Sequence, residues 1–361
     1  MRIFPVCFEW TRIHKTFTFR RCLVFATAAL VISAPWLLKM EPRTNTRFPR
    51  NGTTIGDQEL LGRVNKHAHH VLRTPKHILE HEFFSPNPFP LETYNNSVLR
   101  EPSFVNKESC GSVHVIIPST PDDVKTRDVI RETWGSVALG LRWPGKPLSL
   151  TVRITFVLGV TDKNNRNVED VLHDDILQFD VAETYRNLTR KILLSLQWVL
   201  SSCKDVQYVV KVDQDTFANL PLLLSFLKHH GEGNSIYGYI YPGGSVNRGT
   251  TGWGVSKELY PLDQFPVYAS GTAYVMSKSA VETLIEMSPH FLSIPIEDAF
   301  ITGVLATAGS VDRVHVDGFT HWSDSKIRPC AFINDDQFFG SNMAQSDLIT
   351  TWQNISTGVK C

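Results

Sequence analysis

The chain has 361 residues, room for one large domain or two smaller ones, and 42% are hydrophobic, enough for a sizeable core. Lysine plus arginine and aspartate plus glutamate both number 36, so the formal net charge is zero, which argues against an electrostatic nucleic-acid binder. The sequence has no zinc-type cysteine spacing and no P-loop.

Residues 22–38 are uncharged and mostly apolar, with Arg20 and Arg21 before them and Lys39 after. The segment is at the short end of the range for a membrane span; Phe17 to Phe19 extend it, and Trp36 suits an interface. The long basic lead and Pro35 favour an uncleaved signal anchor over a cleaved signal peptide. The expected layout is a cytoplasmic tail (1–21), an anchor (22–38), a luminal stem (39–109) and a luminal domain (110–361). Sequons at Asn51, Asn95, Asn187 and Asn354 all follow the anchor. So do Cys110, Cys203, Cys330 and Cys361, which an oxidising lumen can join as two disulfides in any of three pairings. Cys7 and Cys22 belong to the tail and anchor.

Residues 39–109 show little periodicity and are frequent in Pro, Asn, Arg and His, as a stem would be. His67, His69, His70, His77 and His81 read there as solvated side chains. From Cys110 the pattern tightens. Strands are expected at 113–118, 152–158 and 176–179, and helices at 122–134, 167–174 and 187–202. Further on, 279–287 and 295–308 suit helices. Alternating strand and helix indicates a parallel α/β sheet, which binds ligands beyond the carboxyl ends of its strands.

One such end carries chemistry. Tyr208 to Val212 is a β-branched and aromatic run, and it stops at Asp213-Gln214-Asp215. At period two the carboxylates project to one side and repel unless a cation or separate donors relieve them. A hard divalent ion, Mn²⁺ or Mg²⁺, suits such oxygen ligands and keeps positions open for phosphate. Taken alone, the pair is more often a turn that caps the next helix.

Several ordered blocks now combine. They are Arg127 to Trp134 (RDVIRETW), Phe156 to Gly159, and Tyr185 to Lys191 with Trp198 and Cys203. Lys211 to Asn219 (KVDQDTFAN), Pro266 to Val275 (PVYASGTAYV) and Glu297-Asp298 follow. In this order they resemble the β-1,3-glycosyltransferase family that includes the β-1,3-galactosyltransferases, over residues 110–361. The resemblance implies a type II Golgi membrane enzyme with the GT-A fold, a mixed, mainly parallel sheet flanked by helices. It further implies a UDP-sugar donor, Mn²⁺, inversion at the anomeric carbon and a glycan acceptor on glycoprotein or glycolipid, with homo-oligomerisation possible.

On that resemblance Asp215 holds the metal with Asp213 beside it, or Asp213 contacts the ribose or donor sugar. Arg127, Arg131 and Lys191 serve the nucleotide, or the two arginines simply pair with acids. Asp298 is the general base, with Glu297 as alternate or as acceptor-hydroxyl binder; both acids would equally favour a helix N-terminus. Ser270, Gly271 and Thr272 bring backbone close to the donor sugar. Trp253, Tyr268 and Trp322 stack on sugars or pack in the core. Two departures stand out: Gly252 to Ser256 (GWGVS) replaces the family's Lys-Trp-Tyr-Val-Ser, and 332–340 lacks the family's metal-binding His. Asp335, Asp336 or His321 would supply the third ligand. The preferred reaction is transfer of galactose from UDP-galactose in β-1,3 linkage. N-acetylglucosamine or N-acetylgalactosamine transfer, or an inactive binding or partner protein, are the alternatives.

Overall fold

The computed structural model describes residues 56–95, 97–106, 110–161, 173–231, 233–250, 252–321, 324 and 327–361. The expected tail, anchor and first part of the stem lie outside the described residues, as do Trp322 and most of the expected 167–174 helix. No helix among the described residues is long and apolar enough to cross a membrane.

The strands are β1 (His69–Leu72), β2 (Val98–Arg100), β3 (Val113–Pro118), β4 (Val152–Val160), β5 (Ile176–Ala182), β6 (Tyr208–Val212), β7 (Phe217–Ala218), β8 (Ser235–Tyr241), β9 (Tyr268–Ser277), β10 (Asp312–Val316) and β11 (Phe339–Gly340). Nine of them form one sheet in the order β1-β10-β8-β9-β6-β3-β4-β5-β2, and β7 pairs with β11. The pairs β10/β8, β6/β3, β3/β4 and β4/β5 are parallel. The pairs β1/β10, β8/β9, β9/β6 and β5/β2 are antiparallel. The two kinds are equal in number, which corrects the expected mainly parallel sheet. β9 runs backward between β6 and β8, and β1 and β2 add antiparallel edges.

Register decides what gathers at one edge. Val212 faces Ala273, and Tyr241 faces Tyr268. The residues after β6, the end of β8 and the start of β9 therefore share the edge where β3 also ends. β10 runs parallel to β8, so Thr320 and His321 follow on the same side.

Strand alternation sends side chains into two apolar layers. One layer packs under the helices Leu188–Ser202 and Lys278–Met287 and the π-helical turn Ala299–Leu305. The other packs under Asp57–Val64, Val124–Glu132, Leu220–His230 and Gln345–Ser356.

The expected stem needs correction from residue 56 onward. Leu60, Val64, Ile78, Phe84 and Tyr94 are core residues, and β1 is an edge strand of the sheet. His67 is buried, with its ring nitrogens 2.8 and 2.9 Å from the carbonyls of Asp317 and Asp335. The disulfides are Cys110–Cys203 and Cys330–Cys361.

Candidate active site

Lys211 lies one residue before the end of β6 with only 1% of its side chain exposed. A buried ammonium needs anions around it. Its Nζ lies 2.6 Å from Asp213 Oδ1 and 3.6 Å from Glu297 Oε2, and it donates to the Gly271 carbonyl. Burial works against the charge, but Asp213, Glu297 and Asp298 outweigh it and hold Lys211 above the ordinary lysine range.

Glu297 and Asp298 are set by the turn that opens the π-helical stretch. Glu297 is buried and accepts from the Tyr274 hydroxyl. Its carboxyl is pushed up to about 7, chiefly by burial; Asp298 adds to the rise, while Lys211 and Tyr274 oppose it. Asp298 caps the turn: Oδ1 accepts from its neighbour's amide, Ala299 N, at 2.8 Å, and Oδ2 from Gly271 N at 2.9 Å. Burial raises its carboxyl too, against the pull of those amides and of Lys211. Gly271 is what permits this approach, since a Cβ there would sit 3.0 Å from Asp298 Oδ2. Thr302 locks the turn in place: its hydroxyl donates to the Asp298 carbonyl at 2.6 Å and accepts from Ala269 N at 2.8 Å.

Past β6, the Asp213 amide donates to the Thr272 carbonyl at 2.9 Å. Gln214 donates to Asp123 at 2.7 Å, and Asp123 also caps the Val124–Glu132 helix. The Asp215 carbonyl takes Met343 N at 2.9 Å. The loop is thus pinned on both sides while the Asp215 side chain opens to solvent. Surrounding protein and then the Asp213 charge push its carboxyl upward, against the pull of Lys211. Asp213, bonded to Lys211, and the solvent-open Asp215 offer an all-oxygen pair that fits a hard divalent cation such as Mn²⁺.

The remaining expected residues divide. His321 follows Thr320, whose carbonyl takes the Thr272 hydroxyl at 2.9 Å, so it stands at this edge. Its ring packs against Tyr239 and Tyr241, and burial lowers its pKa against the pull of Asp324. Asp335 is corrected. It is fully buried beneath the sheet, where it accepts from Arg63 at 3.0 Å, from Asn219 at 2.9 Å and from Lys146. Asp336 is exposed. Arg131 is also corrected, because its guanidinium makes a two-pronged pair with Asp175 (2.7 and 2.8 Å) and a further bond to Asp128. Arg127 is buried and donates to Ser119 Oγ and to the carbonyls of Thr120 and Pro121. Lys191 donates to the Ser119 carbonyl at 2.9 Å and to Glu183 at 2.6 Å. These two cations therefore shape the loop beyond β3. Tyr268 stacks on Tyr241 with ring centroids 5.0 Å apart, and Trp253 meets Tyr185 at 5.1 Å.

The reading of the sequence missed Lys211 and Tyr274 as parts of the site. For Lys211 a signal exists: a lone lysine inside an apolar central strand requires a buried acid. Tyr274 reaches Glu297 only through a pairing between distant segments.

The sequence model of the galactosyltransferase family matches residues 125–317, just over half of the chain. Beta-1,3-galactosyltransferase 2 of Homo sapiens is 29% identical over 277 residues, 72% of this chain and 61% of its own length. Its counterpart in Pongo abelii is 28% identical over 286 residues, covering 74% and 64%. Beta-1,3-galactosyltransferase 1 of Mus musculus is 29% identical over 216 residues, covering 58% and 64%. The chain thus spans less than two thirds of the length of these curated relatives. Among solved structures, the galactosyltransferase LgtC with donor and acceptor sugar analogues shares 10% identity at a TM-score of 0.32, covering 56% of this chain and 72% of that one. That overlap is too low to establish a common fold.

Proposed function

The chain belongs to the galactosyltransferase family, and from that premise we propose that it is an inverting GT-A-type enzyme. It transfers galactose from UDP-galactose to a hydroxyl of a glycan acceptor on protein or lipid, in β-1,3 linkage. The observation that carries this reading is Asp298, a half-buried carboxylate fixed by two backbone amides at the same sheet edge as half-buried Asp213 and solvent-open Asp215.

The step balances as a single displacement. The acceptor oxygen forms a bond to the anomeric carbon as that carbon's bond to the diphosphate breaks. UDP leaves with the electron pair, and the hydroxyl proton passes to Asp298. Two backbone amides fix the orientation of that carboxylate, while burial raises its proton affinity. Asp213, Asp215 and His321 would hold Mn²⁺, whose chemistry there is to neutralise the leaving diphosphate. Gly271 and Thr272 bring backbone to the donor sugar. Lys211 keeps Asp213 and the Gly271 carbonyl in register.

We place the enzyme in the Golgi membrane as a single-pass type II protein with this domain in the lumen. The apolar segment 22–38 and two disulfides in the described domain support that placement.

A donor screen tests the reading. The purified full-length chain with Mn²⁺ is expected to release UDP from UDP-galactose onto β-linked glycoside acceptors. Asp298→Asn is expected to lower kcat by about 10²- to 10⁴-fold with UDP affinity nearly unchanged. Preferred use of UDP-N-acetylglucosamine or UDP-N-acetylgalactosamine would reassign the donor, and absence of turnover with every UDP-sugar would overturn the enzyme.

A further inference from the structure

Most large aromatic side chains of this domain are buried, but two at the active edge are not. Tyr185 is 47% exposed and Trp253 58% exposed, yet their rings are in contact with centroids 5.1 Å apart. They come from segments far apart in the chain. Tyr185 precedes the Leu188–Ser202 helix, and Trp253 lies in the long connection between β8 and β9. Among the described residues, nothing covers the large apolar face that each leaves in water, an arrangement that marks a binding surface rather than packing.

Strand direction fixes where this pair stands. Tyr185 follows the end of β5, which runs parallel to β4, β3 and β6, so it lies beyond the same strand ends as Asp213. The Asp215 loop is tied, through Gln214 and Asp123, to the Val124–Glu132 helix on one face of the sheet. Asp298 and Tyr185 belong to elements of the opposite face. In a displacement with inversion, the attacking hydroxyl approaches opposite the leaving diphosphate, on the side of the base. A flat aromatic surface on that side suits the apolar face of a sugar ring, and an aromatic hydroxyl at its rim suits a sugar oxygen.

We propose that Tyr185 and Trp253 together form the platform on which the acceptor sugar stacks, presenting its hydroxyl to Asp298. This deepens the reading above and rests on it. Gly252 and Gly254 flank Trp253, and a Cβ at Gly252 would meet nothing within 4 Å. Among the described residues, the space on the Gly252 side of the tryptophan is therefore open.

Kinetics with UDP-galactose, Mn²⁺ and methyl β-glycosides of galactose, glucose and their N-acetylamino forms test the platform. Trp253→Ala is expected to raise the acceptor KM roughly tenfold while the UDP-galactose KM stays within about twofold. Trp253→Phe, which keeps an aromatic face, should recover most of the loss, and Tyr185→Ala should mirror Trp253→Ala. Both side chains are largely exposed, so melting curves should be unaffected; saturation-transfer NMR of the same glycosides gives a second, activity-free readout. Unchanged acceptor KM and NMR transfer in these variants, or an equal rise in donor KM, would overturn the platform while leaving the transferase reading intact. If the wild-type chain uses no UDP-sugar at all, reading and platform fall together.

Discussion

At the scale of single residues, the site depends on how closely a carboxylate approaches a strand. Asp298 Oδ2 bonds to the Gly271 amide, and the missing Cβ is what makes room. Gly271→Ala puts a methyl 3.0 Å from that oxygen, so Asp298 must shift by a few tenths of an ångström. Misplacement of a catalytic group by up to an ångström costs on the order of 10²-fold. Gly271→Ala is therefore expected to lower kcat by about 10- to 100-fold with a melting temperature close to wild type; unchanged kcat would show that Asp298 is not held from Gly271. Glu297 makes a second claim, about pH. Its carboxyl rises from 4.5 to about 7 in the folded protein. A group that binds its proton more tightly when folded contributes stability in full below about 4.5, and that contribution is lost as pH climbs through about 7. The full difference is about 3 kcal/mol at most. Urea midpoints between pH 4.5 and 8 should fall in wild type and flatten in Glu297→Gln; parallel profiles would refute the assignment.

At the scale of elements, the π-helical turn Ala299–Leu305 is tied to β9 by one hydroxyl. Wide turns of this kind are rare and concentrate at functional sites. Thr302→Val keeps the shape of the side chain but strands the buried Ala269 amide, which costs about 1–3 kcal/mol. Denaturant melts should show that loss for Thr302→Val and less than half of it for Thr302→Ser; equal losses would mean that the methyl, not the hydroxyl, matters. The same scale shows what could be read in advance. β3 and β6 appear at the expected residues because each is a short apolar run closed by Pro, Thr or Asp, and the Leu188–Ser202 helix follows its amphipathic stripe. β9 lying antiparallel between β6 and β8 was not legible, because that order is a matter of pairing across a long connection, not of local pattern. The acid pair at the end of β6 was legible as two carboxylates just past a buried strand. The buried role of Asp335 was not, since its partners Arg63, Lys146 and Asn219 lie far away in sequence.

At the scale of the whole molecule, the segment after residue 56 is part of the domain because its isolated apolar residues each find a distant pocket, which no periodicity announces. Leu60 and Val64 join the layer that holds the Leu220–His230 helix, and Ile78 and Phe84 join the opposite one. The two disulfides brace this assembly unequally. Cys110–Cys203 spans 93 residues, and its loop encloses β3, β4, β5 and the helix that carries Lys191; Cys330–Cys361 spans 31 near the chain end. Cross-linking stabilises mainly by restricting the unfolded chain, and by loop entropy the longer closure is worth roughly 1 kcal/mol more. Removal of a native disulfide typically costs about 2–5 kcal/mol, and a domain of this size loses about 2–4 °C in Tm per kcal/mol. The Cys110→Ser/Cys203→Ser variant should therefore melt roughly 5–15 °C below wild type, and the Cys330→Ser/Cys361→Ser variant less far below it. Because the longer loop contains Ser119, Glu183 and Lys191, its opening should also weaken UDP binding as melting approaches, whereas the shorter closure leaves those residues untouched. A larger loss from the second pair, or UDP affinity unaffected in the first variant near its midpoint, would show that the β3–β5 half holds its shape without the bridge.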